Sequence, residues 1–290
     1  VACEQFVEKK FKPASLELIA ACNQIIERYQ AQNLRLTLRQ LYYQLVTRNL
    51  IPNVERSYKN LSGLVTDARM AGVLDWDAIE DRVRQPRIPQ EFDDLADLVR
   101  AAVQSYRLDR WAGQEYYAEL WVEKDALAGV LRPLASEFHV TLMVNRGYSS
   151  ASAMYESAAR FNVHPEPKQL YYLGDFDPSG EDMVRDIRDR LGLFGVEELT
   201  VNKIALTWAQ IQEYNLPPNP AKVSDPRAAG YIARHGDSSW EVDALPPEVL
   251  AATVREAFAE ILDLDLMNAV KEREARDKKR LQAAAKELSK

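Results

Sequence analysis

The sequence predicts an α/β protein, in which a helical, locally basic N-terminal unit precedes a parallel sheet flanked by helices. Three observations predict it. Apolar runs alternate with amphipathic stretches between residues 117 and 205, an order whose simplest packing is a parallel sheet with helices on its faces. Two of those runs stop at acids, Glu123 after Trp121-Val122 and Asp175 after Leu173-Gly174. Residues 1–88 lack the alternation and carry helix-spaced apolar positions instead.

A chain of 290 residues with 47% hydrophobic content has room for two packed domains. Its apolar runs are far shorter than the ~20 residues a membrane helix needs, and its N-terminal residues lack a charged-then-apolar secretory pattern, so a cytoplasmic protein is expected. Cys3 and Cys22 both fall in the first helical region, and His139, His164 and His235 are scattered. Neither a disulfide framework nor a zinc spacing is present. The net charge of −7 is unevenly spread: residues 35–72 hold six basic side chains against two acidic ones. A local basic face on an acidic protein permits DNA binding, because screening confines phosphate attraction to ~8–10 Å.

Helical spacing predicts a first helix over 15–31. Thr37 is an N-cap candidate for a second, in which Leu38, Leu41, Tyr42 and Leu45 share an apolar stripe while Arg39, Tyr43 and Thr47 lie on its flank. Tyr42 is therefore read as core and Tyr43 as reaching outward, one turn from Arg39. A third helix over 54–71 turns Tyr58, Leu61, Leu64, Val65 and Ala68 inward and presents Arg56 and Lys59 outward, as candidate DNA contacts. Residues 73–79 are expected to form a small strand or wing. Three helices plus a wing give a winged helix-turn-helix unit; without the wing they are a plain three-helix bundle.

Pro86 and Pro89 mark a boundary near residue 88. The expected organisation is an N-terminal unit over 1–88, a connecting helix within 89–114, and an α/β domain with a C-terminal extension over 115–290. Strands are predicted at 117–122, 139–144, 169–174 and 199–205, with helices at 125–136, 150–161 and 180–191. Ligand-binding groups of such sheets gather at the carboxyl ends of the strands. There, Asp175 and Asp177 occupy alternate positions, read either as half of a divalent-cation site or as a polar turn of solvated acids. Glu123 ends the first strand and would meet them, and three carboxylates in one place favour Mg²⁺. The second strand ends at Asn145-Arg146-Gly147-Tyr148, where Arg146 is either a surface charge or a phosphate contact. Beyond Leu206 the prolines predict an extended excursion. Within it Trp240 is read as a packing anchor, and Glu241 and Asp243 either as acids that support the site or as plain loop acids. Residues 247–265 are helical, and 271–290 read as a solvated charged helix.

With these pieces in order, the chain resembles the topoisomerase VI A-subunit family, which includes the meiotic double-strand-break protein. Leu38-Arg39-Gln40-Leu41-Tyr42-Tyr43 is similar to that family's Arg-x-x-Tyr-Tyr helix, in a winged-helix (CAP-like) domain. Val122-Glu123-Lys124-Asp125, Arg146-Gly147-Tyr148 and Gly174-Asp175-Phe176-Asp177-Pro178-Ser179-Gly180 resemble successive motifs of its Toprim domain. Gln40 and Ser149 stand where the family usually has an acid and a proline.

The resemblance implies Mg²⁺-dependent DNA cleavage of the type IIB topoisomerase kind. Tyr43 would attack a backbone phosphorus to form a 5′-phosphotyrosyl link, and Arg39 would stabilise the charge that develops. Glu123, Asp175 and Asp177 would hold the metal, with Glu123 alternatively acting as general acid for the leaving 3′-oxygen. Double-stranded DNA, a homodimer in which each tyrosine meets its partner's metal site, and a separate ATPase subunit are the implied partners. Two other readings stand beside it: a Toprim nuclease using metal-activated water, and a non-catalytic DNA-binding or assembly protein.

Overall fold

The computed structural model describes residues 3–32, 34–79, 89, 91–145, 147–221 and 224–288. Its centre is a four-stranded, wholly parallel sheet flanked by helices, in the order β2-β1-β3-β4: β1 is Tyr117–Val122, β2 Thr141–Val144, β3 Lys168–Leu173 and β4 Leu199–Ala205. Val122 is opposite both Val144 and Leu173, so three strands finish level and the residues after them share one edge.

Strand alternation sorts the side chains into two apolar layers. Trp121, Leu170 and Tyr172 pack with Met154 and Phe161 of α6 (Ala151–Asn162) and with Met183, Ile187 and Leu191 of α7 (Pro178–Leu193). Leu120, Val122, Tyr171 and Leu173 face the other way. There they belong to the core that includes Val130, Leu131 and Leu134 of α5 (Ala128–Phe138) and Leu250, Val254 and Phe258 of α10 (Pro247–Ala259).

The N-terminal residues form α1 (Pro13–Gln30), α2 (Leu38–Thr47) and α3 (Glu55–Met70). A capping box starts α2: Thr37 Oγ1 accepts from Gln40 N, and the Gln40 side chain accepts from Thr37 N at 2.8 Å. Gln40 thus performs locally what an acid at that position would. The expected wing does not form as a strand. Residues 73–79 are turns and bends with one β-bridge, from Ile79 to Leu36, and the Asp75 carboxylate folds back onto Asp77 N at 2.9 Å and takes Gln30 Nε2 at 2.7 Å.

The connecting helix is shorter than expected: α4 spans Leu95–Ser105, capped by Asp94. The excursion after β4 contains α8 (Trp208–Glu213), α9 (Ala228–His235) and a two-residue antiparallel pairing of β5 (Asn219–Pro220) with β6 (Ser238–Ser239). The C-terminal helix α11 (Leu264–Leu288) is not merely solvated, since it packs along α4 and buries Met267, Glu274 and Ala285. Glu274 accepts from Leu108 N, Arg110 and Lys278. No helix among the described residues is long and apolar enough to cross a membrane.

Glu274 makes this packing acid-sensitive. Burial opposes its charge, but Lys278, Arg110 and Leu108 N outweigh burial and hold its carboxyl at about 2. A depressed folded-state value contributes stability that is present above the unfolded value of ~4.3 and is lost as pH falls toward 2. Glu274→Gln is expected to cost about 1–3 kcal/mol at pH 7. Urea unfolding should show that difference from the wild type shrinking between pH 5 and 2.

Candidate active site at the carboxyl edge of the sheet

Three segments converge where the strands end. Glu123 N donates to Leu173 O at 2.8 Å, and Gly174 N to Ala205 O at 2.8 Å, so the β1 and β3 ends are tied side by side and to β4. The excursion is brought in by a bridge in which Phe176 and Trp240 exchange both backbone hydrogen bonds, 2.8 and 2.9 Å. Trp240 anchors it, buried against Phe176 and Trp208. Residues 241–243 then lie against Asp175, and α2 packs on the 3₁₀ turn Val242–Ala244.

Lys124 is the hub. Its ammonium contacts Asp175 Oδ1 at 2.9 Å, Glu241 Oε2 at 2.8 Å and Asp243 Oδ1 at 3.0 Å. Burial disfavours the charge on Lys124, yet Asp243, Asp175 and Glu241 outweigh burial and raise it well above the usual lysine range. The carboxylates diverge. Burial pushes Asp175 up to about 7, against the pull of Lys124, with Glu123 and Asp243 adding to the rise. Burial also raises Asp243. Glu241 is held at about 2 despite burial, because Lys124 and Arg39 both attract its charge.

The expected site residues among those described fall as follows. Glu123 Oε2 accepts from Asp175 N at 3.1 Å and from the Tyr172 hydroxyl at 3.3 Å. The Tyr172 ring folds over Gly174, where a Cβ would stand 2.6 Å from it. Asp175 and Asp177 do not act as a strand pair, because β3 stops at Leu173. Asp175 turns to Lys124 and to Val242 N (2.9 Å), whereas Asp177 caps α7 by accepting from Gly180 N at 2.7 Å and Ser179 Oγ at 2.9 Å. The turn is tight: a Cβ on Gly180 would lie 2.1 Å from Asp175 O. Gly180→Ala must therefore displace Asp175 or α7. It is expected to cost about 1–3 kcal/mol, visible as a lowered thermal midpoint.

Arg39 reaches the same cluster from α2, with Nη2 on Glu241 Oε1 at 2.9 Å and Nε at 3.6 Å from Asp243 Oδ2. Tyr43 does not reach outward into solvent as the helical wheel implied. It is only 4% exposed, and its hydroxyl faces Glu241 and Asn219 of its own chain. Burial, then Glu241 and Asp243, raise its phenol above the usual tyrosine range. A cavity of about 410 Å³ opens beside it, lined by Arg39, Tyr42, Tyr43, Asn53 and Asn219 among others. Arg56 and Lys59 are exposed on α3, with Lys59 paired to Glu55 at 2.7 Å. Neither lines that cavity. Arg146 lies outside the described residues.

Lys124 was not among the expected site residues, and Glu241 and Asp243 were weighed only as supporting acids. A signal existed: Glu241-Val242-Asp243 repeats the alternate-acid spacing of Asp175-Phe176-Asp177. What no local pattern carried was the bridge that brings the two together.

Among the described residues, no three His, Cys, Asp or Glu side chains stand as a ready metal cage. The intrusion of the Lys124 ammonium between Asp175, Glu241 and Asp243 gives a physical reason. The donor chemistry nonetheless fits a hard divalent cation. Four carboxylates (Glu123, Asp175, Glu241, Asp243) cluster with two cations, and Asp243 Oδ2 is buried with no hydrogen-bond partner among the described residues, only the longer ion-pair contact to Arg39. In comparisons with known proteins, no family model and no curated protein matches the chain.

Proposed function

We propose that the protein cleaves DNA by Mg²⁺-dependent tyrosine transesterification, in the manner of the topoisomerase VI A-subunit family that its motifs resemble. One observation carries the reading: Tyr43 and Arg39 on α2 meet the carboxylates of the sheet edge at Glu241, with Arg39 also reaching Asp243. A nucleophile, a guanidinium and an acidic cluster within one network are the parts this chemistry needs.

In the chemical step the Tyr43 oxygen bonds to phosphorus, the bond from phosphorus to the 3′-oxygen breaks, and a 5′-phosphotyrosyl link results. The phenol loses its proton and the 3′-oxygen gains one. Arg39, now paired with Glu241, turns to the phosphate and to the developing phenolate. The phenol proton passes to water admitted with the DNA and the leaving oxygen takes its proton from water; in the alternative in which Glu123 is not a metal ligand, its carboxylic acid would donate that proton. Glu123 and Asp175 would hold the divalent cation with Asp243 behind them; when bound, it supplies charge neutralisation at the phosphate. Tyr43 as described is a neutral, covered phenol, so attack requires α2 and the 240–243 segment to separate enough to admit DNA.

In this reading α1–α3 form a winged-helix-like DNA unit with Arg56 and Lys59 toward the duplex, in a cytoplasmic protein. Two copies act together for a double-strand break, with movement driven by a separate ATPase if one exists. The test is incubation with supercoiled DNA and Mg²⁺, then denaturation. DNA that partitions with protein supports the proposal, whereas cleaved DNA wholly free of protein contradicts it.

The burial of Tyr43 favours a second reading, hydrolysis by a Toprim nuclease in which metal-activated water attacks and Tyr43 is structural. Free 5′-phosphate ends on the product would distinguish it.

A further inference from the structure

One buried polar group at the sheet edge is used by nothing described so far. Asn145 is 8% exposed, and both its amide oxygen and its amide nitrogen are without hydrogen-bond partners among the described residues. Its backbone is well anchored, with Asn145 N donating to Val122 O at 2.8 Å, which extends the β1–β2 ladder one step beyond Val144. A side chain that can make several hydrogen bonds and makes none is costly to bury unless something outside the folded chain completes it.

Position says what that is. One step past the pairing of Val122 with Val144, Asn145 stands beside Glu123. Met143, two residues earlier, packs with Trp121 and Tyr172, so alternation puts Asn145 on that same face at its carboxyl end. This is the face on which Tyr172 reaches Glu123. Two positions on, a Cβ on Gly147 would meet nothing within 4 Å among the described residues. An amide offers both a hard oxygen acceptor and an N–H donor, a match for a hydrated divalent cation next to an anionic oxygen.

We propose that Asn145 contacts ligand at this edge, its amide oxygen accepting from the hydration shell of a divalent cation held by Glu123 and its amide nitrogen donating to a DNA phosphate oxygen. The phosphate half rests on the DNA-cleavage reading. The cation half stands apart from it.

The test uses the full chain and two variants. Asn145→Leu removes both unpartnered atoms at similar volume, and Asn145→Ala guards against misfit of the larger side chain. Mn²⁺ binding is measured by calorimetry, and thermal midpoints are recorded in EDTA. Both variants are expected to bind Mn²⁺ roughly 3- to 10-fold more weakly. The midpoint of Asn145→Leu in EDTA should equal or exceed that of the wild type, because burying an unpartnered amide stabilises nothing. Unchanged Mn²⁺ affinity in the folded variants overturns the inference, as does a wild type that binds no Mn²⁺. A midpoint that falls in EDTA with affinity unchanged marks an amide held by structural water, and overturns it too. A wild type that binds Mn²⁺ through Asn145 but forms no covalent DNA adduct sinks the cleavage reading and leaves the cation contact standing.

Discussion

Replacing Tyr43 with phenylalanine is expected to abolish covalent protein–DNA product, a loss of at least ~10⁴-fold in adduct formation, because the nucleophilic oxygen itself is removed. Fold stability should change little. The Tyr43 ring packs edge-on against Tyr42, and phenylalanine keeps that contact while relieving a buried hydroxyl whose ionisation is already opposed by Glu241 and Asp243. Circular dichroism and the thermal midpoint would verify the fold, and a gel of denatured reaction products would read the adduct. Tyr42→Phe is the matched control. The Tyr42 hydroxyl donates to Asn53 Oδ1 at 3.0 Å, a packing role, so that variant should retain adduct formation.

The second large effect concerns Lys124. Lys124→Met leaves Asp175, Glu241 and Asp243 facing one another with only Arg39 to offset them. Removing one partner of a buried ion cluster typically costs about 3–5 kcal/mol, a large share of a domain's stability. The loss should be largest at neutral pH and smaller in acid, where the carboxylates take up protons. A divalent cation should recover part of it, since the lost positive charge stood among hard oxygen donors. Urea unfolding with EDTA and with Mg²⁺ gives both numbers. A variant as stable as the wild type at pH 7 in EDTA would show that Lys124 is not the organising charge.

How much of this was legible beforehand depends on whether the responsible contacts are local. β1 and β3 are apolar runs cut off by an acid or a glycine, and β1 and β4 lie within the expected limits while β3 is displaced by a single residue. The N-cap at Thr37 was visible because it is a local signal, although the returning Gln40 bond that completes a capping box was not read. By contrast, the Phe176–Trp240 bridge joins positions 64 apart in sequence through backbone atoms, which leave no trace in residue identity. Glu241 and Asp243 therefore looked like ordinary loop acids. Tyr43 was misjudged for a related reason. A helical wheel reports which side of α2 faces its own neighbours, but Asn219 and Glu241 come from the far excursion and cover the flank that the wheel left open. The C-terminal helix was taken as solvated because it is charged; Glu274 is buried all the same, its charge met by Arg110 and Lys278. The wing failed on side-chain chemistry that outcompetes extension, the Asp75 carboxylate returning to Asp77 N.

The central claim is that Tyr43 carries the covalent bond to DNA, and the most direct measurement is peptide sequencing of the adduct by mass spectrometry. After reaction with supercoiled DNA and Mg²⁺, nuclease trimming and trypsin, a peptide covering residues 40–48 should carry a nucleotide through its phosphate. Fragmentation should place that mass on Tyr43 and leave Tyr42 unmodified. Attachment at any other residue, or cleaved DNA with no modified peptide, would contradict it.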